Sequence, residues 1–428
     1  MNNSQVFSRA CQALDMWDRL TNEDRSRICN DLIDIALKRR LSTEEIVMLA
    51  KGLANSSSLR GTYVSTSPTF DFCSTGGGNS LTTILPPYLA ASQGIILPQL
   101  SVPGEIAGAI DTLGAIQGFE YMLSSSRISE VLDKCNIAFF LNTEEFAPAD
   151  LFLFKLRVNR KAKNSVDLVM ASLLSKKISV GVNNFLVDVR VGPNGNFGKT
   201  VLEAKTNCKK LGEASKMLGI GCNCLMTNHF VSPMPLFGRL ESLSVLLAVA
   251  NNEPLDEWTC QHVKMCIEIA AYGVIALSGR DLTTTIAEIK NSIKSGELKN
   301  RLSLLLSSQG SSMENLELSV KELKRANTFK VNSRTSGYIQ GMDYALIRDI
   351  FREAYERSCG ETTFCSPIGM RFFFREGDFV HEGSTLIEVR IDENLVRLPR
   401  ESFGKIINLG NEKPKIDKRG TYGVIENG

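Results

Sequence analysis

The chain has 428 residues, long for a single hydrophobic core, so more than one domain is expected. Apolar residues make up 43% and charged residues 22%, the proportions of a globular protein, which excludes wholesale disorder. Lysine and arginine total 49 against 47 aspartate and glutamate, a net charge of +2 that leaves no electrostatic footprint for nucleic acid or an anionic membrane. Residues 1–20 carry Arg9, Asp15, Asp18 and Arg19, so they lack the apolar core of a signal peptide. Helical periodicity runs through 5–55: Thr21 followed by Glu23 and Asp24 opens one helix, and Ser42 followed by Glu44 and Glu45 opens another. The polar stretch 55–67 reads as a linker. A short strand at 69–73 leads into Ser74-Thr75-Gly76-Gly77-Gly78-Asn79-Ser80, and an apolar, helix-like segment follows over 81–93.

Further on, 94–98 and 137–141 read as strands and 106–113 as a helix. The segment 147–177 is helical again, with Asn164-Ser165 capping 166–178. A strand at 185–191 ends at Gly192-Pro193-Asn194-Gly195, and a helix at 204–218, a strand at 222–227 and a helix at 239–251 follow. This alternation predicts a mostly parallel sheet covered by helices. Short strands at 371–374, 377–380 and 384–390, joined by glycine turns, close the chain. The expected fold is α/β: a small all-helical domain (1–62 and 149–180), a large α/β domain with a mostly parallel central sheet (63–148 and 181–335), and a C-terminal α+β portion (336–428). Apolar runs such as 243–250 are too short to span a bilayer, so no membrane is expected. The eleven cysteines are odd in number and scattered, without a CxxC pair or zinc-knuckle spacing, which fits a reduced, cytoplasmic protein with no metal site.

The loop 74–80 is a recipe for an anion site. Successive glycines let backbone N–H groups converge, a following helix adds partial positive charge, and Ser74, Thr75, Thr82 and Thr83 add hydroxyls. It is neither a Walker loop nor a dinucleotide fingerprint, and on composition alone a plain glycine turn is an equal alternative.

These residues also carry a resemblance. Asp71-Phe72-Cys73-Ser74-Thr75-Gly76-Gly77 resembles the D-K-H-S-T-G-G phosphate loop of the thymidine/pyrimidine nucleoside phosphorylase family and, more distantly, the G-T-G-G loop of anthranilate phosphoribosyltransferases. In order along the chain, the stretch from Gly104 to Leu113, Ala147-Pro148-Ala149-Asp150, Ala171-Ser172-Leu173-Leu174-Ser175-Lys176-Lys177, Val187-Asp188-Val189-Arg190-Val191-Gly192 and Gly377-Asp378-Phe379-Val380 are similar to further segments of that family. The resemblance places Arg157, Ser172 and Lys176 where the family holds its pyrimidine, with Phe154 and Phe197 as apolar walls. Ser172 and Lys176, four apart on one predicted helix, share a face, and cations at the ring oxygens would stabilise the departing base. The standing alternative for Lys176 is a solvated lysine.

The same alignment shows departures on the phosphate side. The loop lysine is Phe72, its histidine is Cys73, a later threonine is Ala109, and Glu105 stands at another histidine's place. A phosphate would lean on Ser74, Thr75, Gly76, Gly77, Thr83 and Ser101. With a non-phosphate acceptor, Phe72 and Cys73 would shape an apolar acceptor pocket; if the protein is instead a weakened version of the family, restoring Phe72 to Lys together with Cys73 to His is expected to raise phosphate dependence. Cys73 is either a small replacement or a nucleophile, the latter requiring a lowered pKa. The implied activity is pentosyl transfer at a uridine- or thymidine-like nucleoside, by phosphorolysis, with Lys176, Arg157 and Cys73 as catalytic candidates. The alternatives are a non-phosphate acceptor (water or an organic nucleophile) or a non-catalytic nucleoside-binding protein. No cofactor is expected, and the N-terminal helices imply a homodimer.

Overall fold

A computed structural model describes residues 3–57, 67–76, 81–104, 106–193, 195–358, 364–417 and 419–426. The chain opens with helices α1 (Asn3–Ala13), α2 (Asn22–Lys38) and α3 (Thr43–Asn55). Capping sets their starts: the Thr21 hydroxyl accepts from the Asp24 N–H, and Ser42 and Glu45 form a reciprocal capping box. Strand β1 (Phe70–Ser74) follows, then α4 (Leu85–Ala91). Helix α4 begins later than the expected 81 because Pro86 and Pro87 occupy its first turn, so turns rather than a helix adjoin the glycine loop. After β2 (Leu97–Ser101), helix α5 (Ala109–Leu113) is also shorter than expected. The Asp111 carboxylate accepts from the Gly104 and Gly108 N–H groups at 3.0 and 3.1 Å and so folds the preceding residues into a loop. Helix α6 (Ser125–Cys135) and strand β3 (Ile137–Leu141) complete this part.

Helices α7 (Pro148–Asn159) and α8 (Val166–Val180) return to the N-terminal helices, α7 packing on α2 and α8 on α3. Strand β4 (Asn184–Val191), helix α9 (Val201–Met217), strands β5 (Gly221–Asn228) and β6 (Leu236–Phe237), and helix α10 (Arg239–Ala250) come next. Strands β1, β4 and β5 pair in parallel, with Ser74 opposite Asp188. The parallel pair β2–β3 joins the free edge of β1 through a Thr69–Ile96 bridge. This is the mostly parallel sheet expected from the alternation of elements.

Six helices were not anticipated: α6, the run α11 (Glu257–Ser278), α12 (Leu282–Lys294), α13 (Glu297–Ser308) and α14 (Met313–Arg325), and α15 (Tyr344–Ser358). By length and composition α11 could cross a membrane, but Ile269, Ala270 and Ala271 are fully buried and Gly273 lies against Phe70 and Phe72, as in a core helix. The remainder comprises β7 (Thr328–Asn332), β8 (Gly337–Met342), α15, β9 (Ile368–Phe372), β10 (Phe379–Val380), β11 (Thr385–Ile391), β12 (Ile407–Gly410) and β13 (Thr421–Glu426). These residues build a second core around Phe237, Ile339, Phe351 and Ile387. Three strands cross the expected boundaries: β6 pairs with β9, β7 pairs with β11, and β13 returns to pair antiparallel with β5 at the edge of the central sheet. Among the described residues nine cysteines are free thiols, whereas Cys365 is disulfide-bonded, contrary to the expectation of a fully reduced chain. Scatter and an odd count gave no pairing signal.

Candidate active site

A cleft with a volume of about 240 Å³ runs between helices α7 and α8 on one side and the ends of β1, β2 and β4 on the other. It gathers Phe154, Arg157, Ser172 and Lys176 with Cys73, Ser74, Thr75, Gly76, Thr83 and Ser101. Gly77 and Glu105 lie outside the described residues.

Lys176 is 8% exposed; its ammonium donates to the Ser172 carbonyl at 2.8 Å and to Ser172 Oγ at 2.7 Å and forms an ion pair with Asp150 Oδ2 at 2.7 Å. The solvated-lysine alternative is therefore excluded. Burial pulls Lys176 below the usual lysine range, although Asp150 pulls the other way. Arg157 is 2% exposed and gives its Nη groups to the backbone carbonyls of Leu168 and Lys163, while its buried Nε has no hydrogen-bond partner among the described residues. Burial lowers its pKa to about 10, with Asp150 opposing. Half-buried Phe154 flanks these groups, with Lys163 Nζ 5.9 Å from its ring centroid.

On the other wall, Gly76 adopts φ +81°, a conformation that favours glycine, and the Thr75 carbonyl accepts from Asn196 Nδ2 at 2.6 Å. Thr75 Oγ1 accepts from the Arg190 N–H at 3.1 Å. The Arg190 guanidinium donates to Asp188 Oδ2 at 3.0 Å and to Thr82 Oγ1 at 3.1 Å, and Asp188 also accepts from the Thr82 and Thr227 hydroxyls. Burial works against the Asp188 carboxylate, but Arg190 and the hydroxyls outweigh it and hold its pKa below the usual range. The loop around Gly104–Gly108 forms the adjoining wall. Asp111 binds both ends of it, Arg239 reaches Asp111 at 3.2 Å, and Tyr355 donates to the Ile106 carbonyl at 2.6 Å, so the C-terminal core braces this wall.

Three expectations need correction. Phe72 borders the cleft, but its ring does not form an acceptor pocket: residues alternate along β1, and the ring packs beside Phe70 against Gly273 of α11. Phe197 is fully buried with its carbonyl held by Asn207, and the neighbouring Asn196 faces the cleft instead. Cys73 does reach the cleft, but burial pushes its thiol up to about 12 and Sγ lies 3.7 Å from the Leu186 carbonyl, the opposite of an activated thiolate.

Several groups of the site were not singled out from the sequence: Asp150, Asp71, Lys177, Asp188, Arg190 and Asn196. Lys177 pairs with Asp71 beneath Cys73 and lies 5.6 Å from the Phe185 ring centroid. Burial works against its charge, but Asp71 outweighs it and holds the ammonium above the usual range. A signal existed for Asp188 and Arg190, since charges two apart in an otherwise apolar strand demand partners. The resulting pattern is uniform. Arg157, Lys163, Lys176, Lys177 and Arg190 line the cleft, with no carboxylate among the described lining residues. Three of these cations are backed by buried carboxylates outside the lining, in the pairs Lys176–Asp150, Lys177–Asp71 and Arg190–Asp188. A separate cavity of about 260 Å³ near Trp258 differs in kind, mixing Arg375 and Arg419 with Glu376 and Asp417. Among the described residues no cluster suited to a metal ion occurs.

No family model matches the chain. Thymidine phosphorylase from Burkholderia lata is 25% identical over 284 residues, covering 64% of this chain and 63% of that protein. The Agrobacterium fabrum thymidine phosphorylase is 29% identical over 193 residues, 44% of each chain, and that of Rhizobium meliloti is 32% identical over 164 residues, 38% of this chain and 37% of that protein. The chain thus matches under two thirds of these relatives' length. Among solved structures, anthranilate phosphoribosyltransferase from Thermus thermophilus superposes with a TM-score of 0.54 at 13% identity, covering 71% of this chain and 96% of that one. The Saccharomyces cerevisiae enzyme in complex with 4-fluoroanthranilate gives 0.52 at 14% identity, covering 72% and 93%. The chain is therefore similar in sequence to thymidine phosphorylases over part of its length and similar in fold to anthranilate phosphoribosyltransferases.

Proposed function

We propose that the protein is a pentosyltransferase that cleaves the N-glycosidic bond of a uridine- or thymidine-like nucleoside, with inorganic phosphate as acceptor. The observation that carries this reading is the cleft's lining, in which the charged groups among the described residues are all cations and three of them have carboxylates behind. As the C1′–N1 bond stretches, the base departs as an anion, and prepositioned cations stabilise that charge more in the transition state than in the ground state. The orphaned Arg157 Nε offers a buried donor to one ring carbonyl. Lys176 serves the other by releasing Ser172 Oγ, which is then free to meet the ring nitrogen. The acceptor enters from the Ser74–Gly76 and Thr83 side. The burial of the Phe72 ring, which leaves no lysine in the loop, favours a second reading, transfer to a neutral acceptor such as water. By the same resemblance, helices α1–α3 are read as the face of a homodimer.

The test is incubation of the purified protein with uridine and with thymidine, with and without phosphate, following free base and sugar 1-phosphate by chromatography. Phosphate-dependent release with formation of sugar 1-phosphate is expected. Release without phosphate would establish the second reading, and no release under either condition would refute both.

A further inference from the structure

We infer that Arg190 is the cation that anchors the acceptor's phosphate dianion, in place of a glycine-loop lysine. The inference rests on the reading of the cleft as a phosphorolytic site. Three features single out this side chain. First, β1 cannot supply the charge, because Phe72 lies in the core with its ring against Gly273. Second, Arg190 is bonded to both flanks of the glycine loop: its backbone N–H holds Thr75 Oγ1 at 3.1 Å, and Nη2 holds Thr82 Oγ1, next to Thr83, at 3.1 Å. Third, it lines the cleft while only 5% exposed, with its head fixed by Asp188, which is itself held by two hydroxyls.

The other cations suit the role less well. Lys176 is held by Asp150 and Ser172 on the base side and Lys177 by Asp71 beside the Phe185 ring, and among the described residues neither bonds to Ser74, Thr75 or Thr82 as Arg190 does to the two threonines. Arginine also differs in kind from lysine: its planar fork can serve a carboxylate with one edge and an oxyanion with another, whereas an ammonium is a point charge. Here Nε meets Asp188, and Ser74 and Thr83, which line the same cleft, carry hydroxyls for the remaining phosphate oxygens. The site selects a compact tetrahedral oxyanion, and sulfate should compete with phosphate.

The test is calorimetric titration of inorganic phosphate and, separately, uridine into the wild type, Arg190→Lys, the double variant Asp188→Asn/Arg190→Gln, and Lys177→Met. Arg190→Lys keeps a cation for Asp188, and the double variant removes both charges together, so at least one is expected to fold. Phosphate affinity should fall about tenfold or more in either Arg190 variant, the range expected for losing a charged hydrogen bond, while uridine affinity stays within about twofold. Unchanged phosphate binding in a folded Arg190 variant, loss only in Lys177→Met, or no phosphate binding by the wild type would each overturn the inference. Phosphate binding that depends on Arg190, without base release from either nucleoside, would support the anchor and overturn the phosphorolytic reading.

Discussion

Replacing Lys176 with Met separates the contribution of this residue to folding from its contribution to catalysis. The substitution keeps the length of the side chain but leaves Asp150, 1% exposed, without its cation, and removes the donor to Ser172 Oγ. Breaking a buried ion pair by deleting one partner costs about 3–5 kcal/mol, a large fraction of the ~5–15 kcal/mol that holds a typical domain together. Adding Asp150→Asn discharges the stranded carboxylate, so the double variant should regain most of that loss. Activity should not follow. Without the ammonium the departing base loses a charged hydrogen bond of about 1.5–3 kcal/mol, so kcat/KM for base release should fall about ten- to a hundredfold or more in both variants. Urea unfolding gives the first quantity and chromatographic assay of free base the second. A stable double variant with wild-type turnover would refute the assignment of Lys176 to the base, and a single variant as stable as wild type would refute the buried pair.

Cys73→Ser should keep turnover within about threefold, since a thiol pushed up to about 12 supplies no thiolate at neutral pH; a loss beyond a hundredfold in the base-release assay would restore the nucleophile. Phe72→Lys, alone or with Cys73→His, should not raise phosphate dependence. It places an ammonium in the core beside Gly273, costing about 3 kcal/mol or more in urea unfolding, and a stable variant with a lower KM for phosphate would show the ring position to be wrong. Burial pushes the pKa of His229 down to about 3 and that of His262 to about 4, from an ordinary 6.5. Below pH 6.5 the unfolded chain therefore binds protons that the folded chain refuses, and the stability present above that pH is lost as pH falls toward 4. At pH 5 each histidine accounts for about 2 kcal/mol of loss relative to pH 7. His262→Gln, whose side-chain oxygen can replace the acceptor of the Leu81 N–H, should remove about half of the combined effect, and equal wild-type stability at both pH values would refute the linkage.

The sheet was legible because its strands announce themselves: 137–141 and 185–191 are short apolar runs between helical segments, and they appear as β3 and β4 within a residue of expectation. Helix starts at Thr21 and Ser42 were legible through their caps. Helices α6, α11 to α14 and α15 escaped because no motif drew attention to them. Helices α4 and α5 were overextended because a proline pair and the Asp111 bonds act on backbone geometry that apolar periodicity does not report. At the site, Arg157, Ser172 and Lys176 were found by resemblance, and their placement in one cleft with Ser74–Gly76 and Thr83 follows from the fold. The alternation Phe70-Asp71-Phe72-Cys73 already put the two phenylalanines on one face of β1, and period-two reasoning applied there would have sent the Phe72 ring into the core.

The carboxylates behind the cations were harder to read, because Asp71 and Lys177 are 106 residues apart and meet only through the fold. Their arrangement also bears on function. A buried ion pair is a poor device for stability, since desolvation takes back much of what attraction gives. Three such pairs around one cleft, all with the cation lining it, are therefore poorly explained by folding alone. They make sense as a fixed field. Each carboxylate holds its cation in place before a ligand arrives, so little reorganisation is needed when negative charge enters the cleft. A chain with a net charge of only +2 cannot attract an anion by its overall field, and the oriented pairs concentrate positive potential in the cleft proposed to bind the nucleoside.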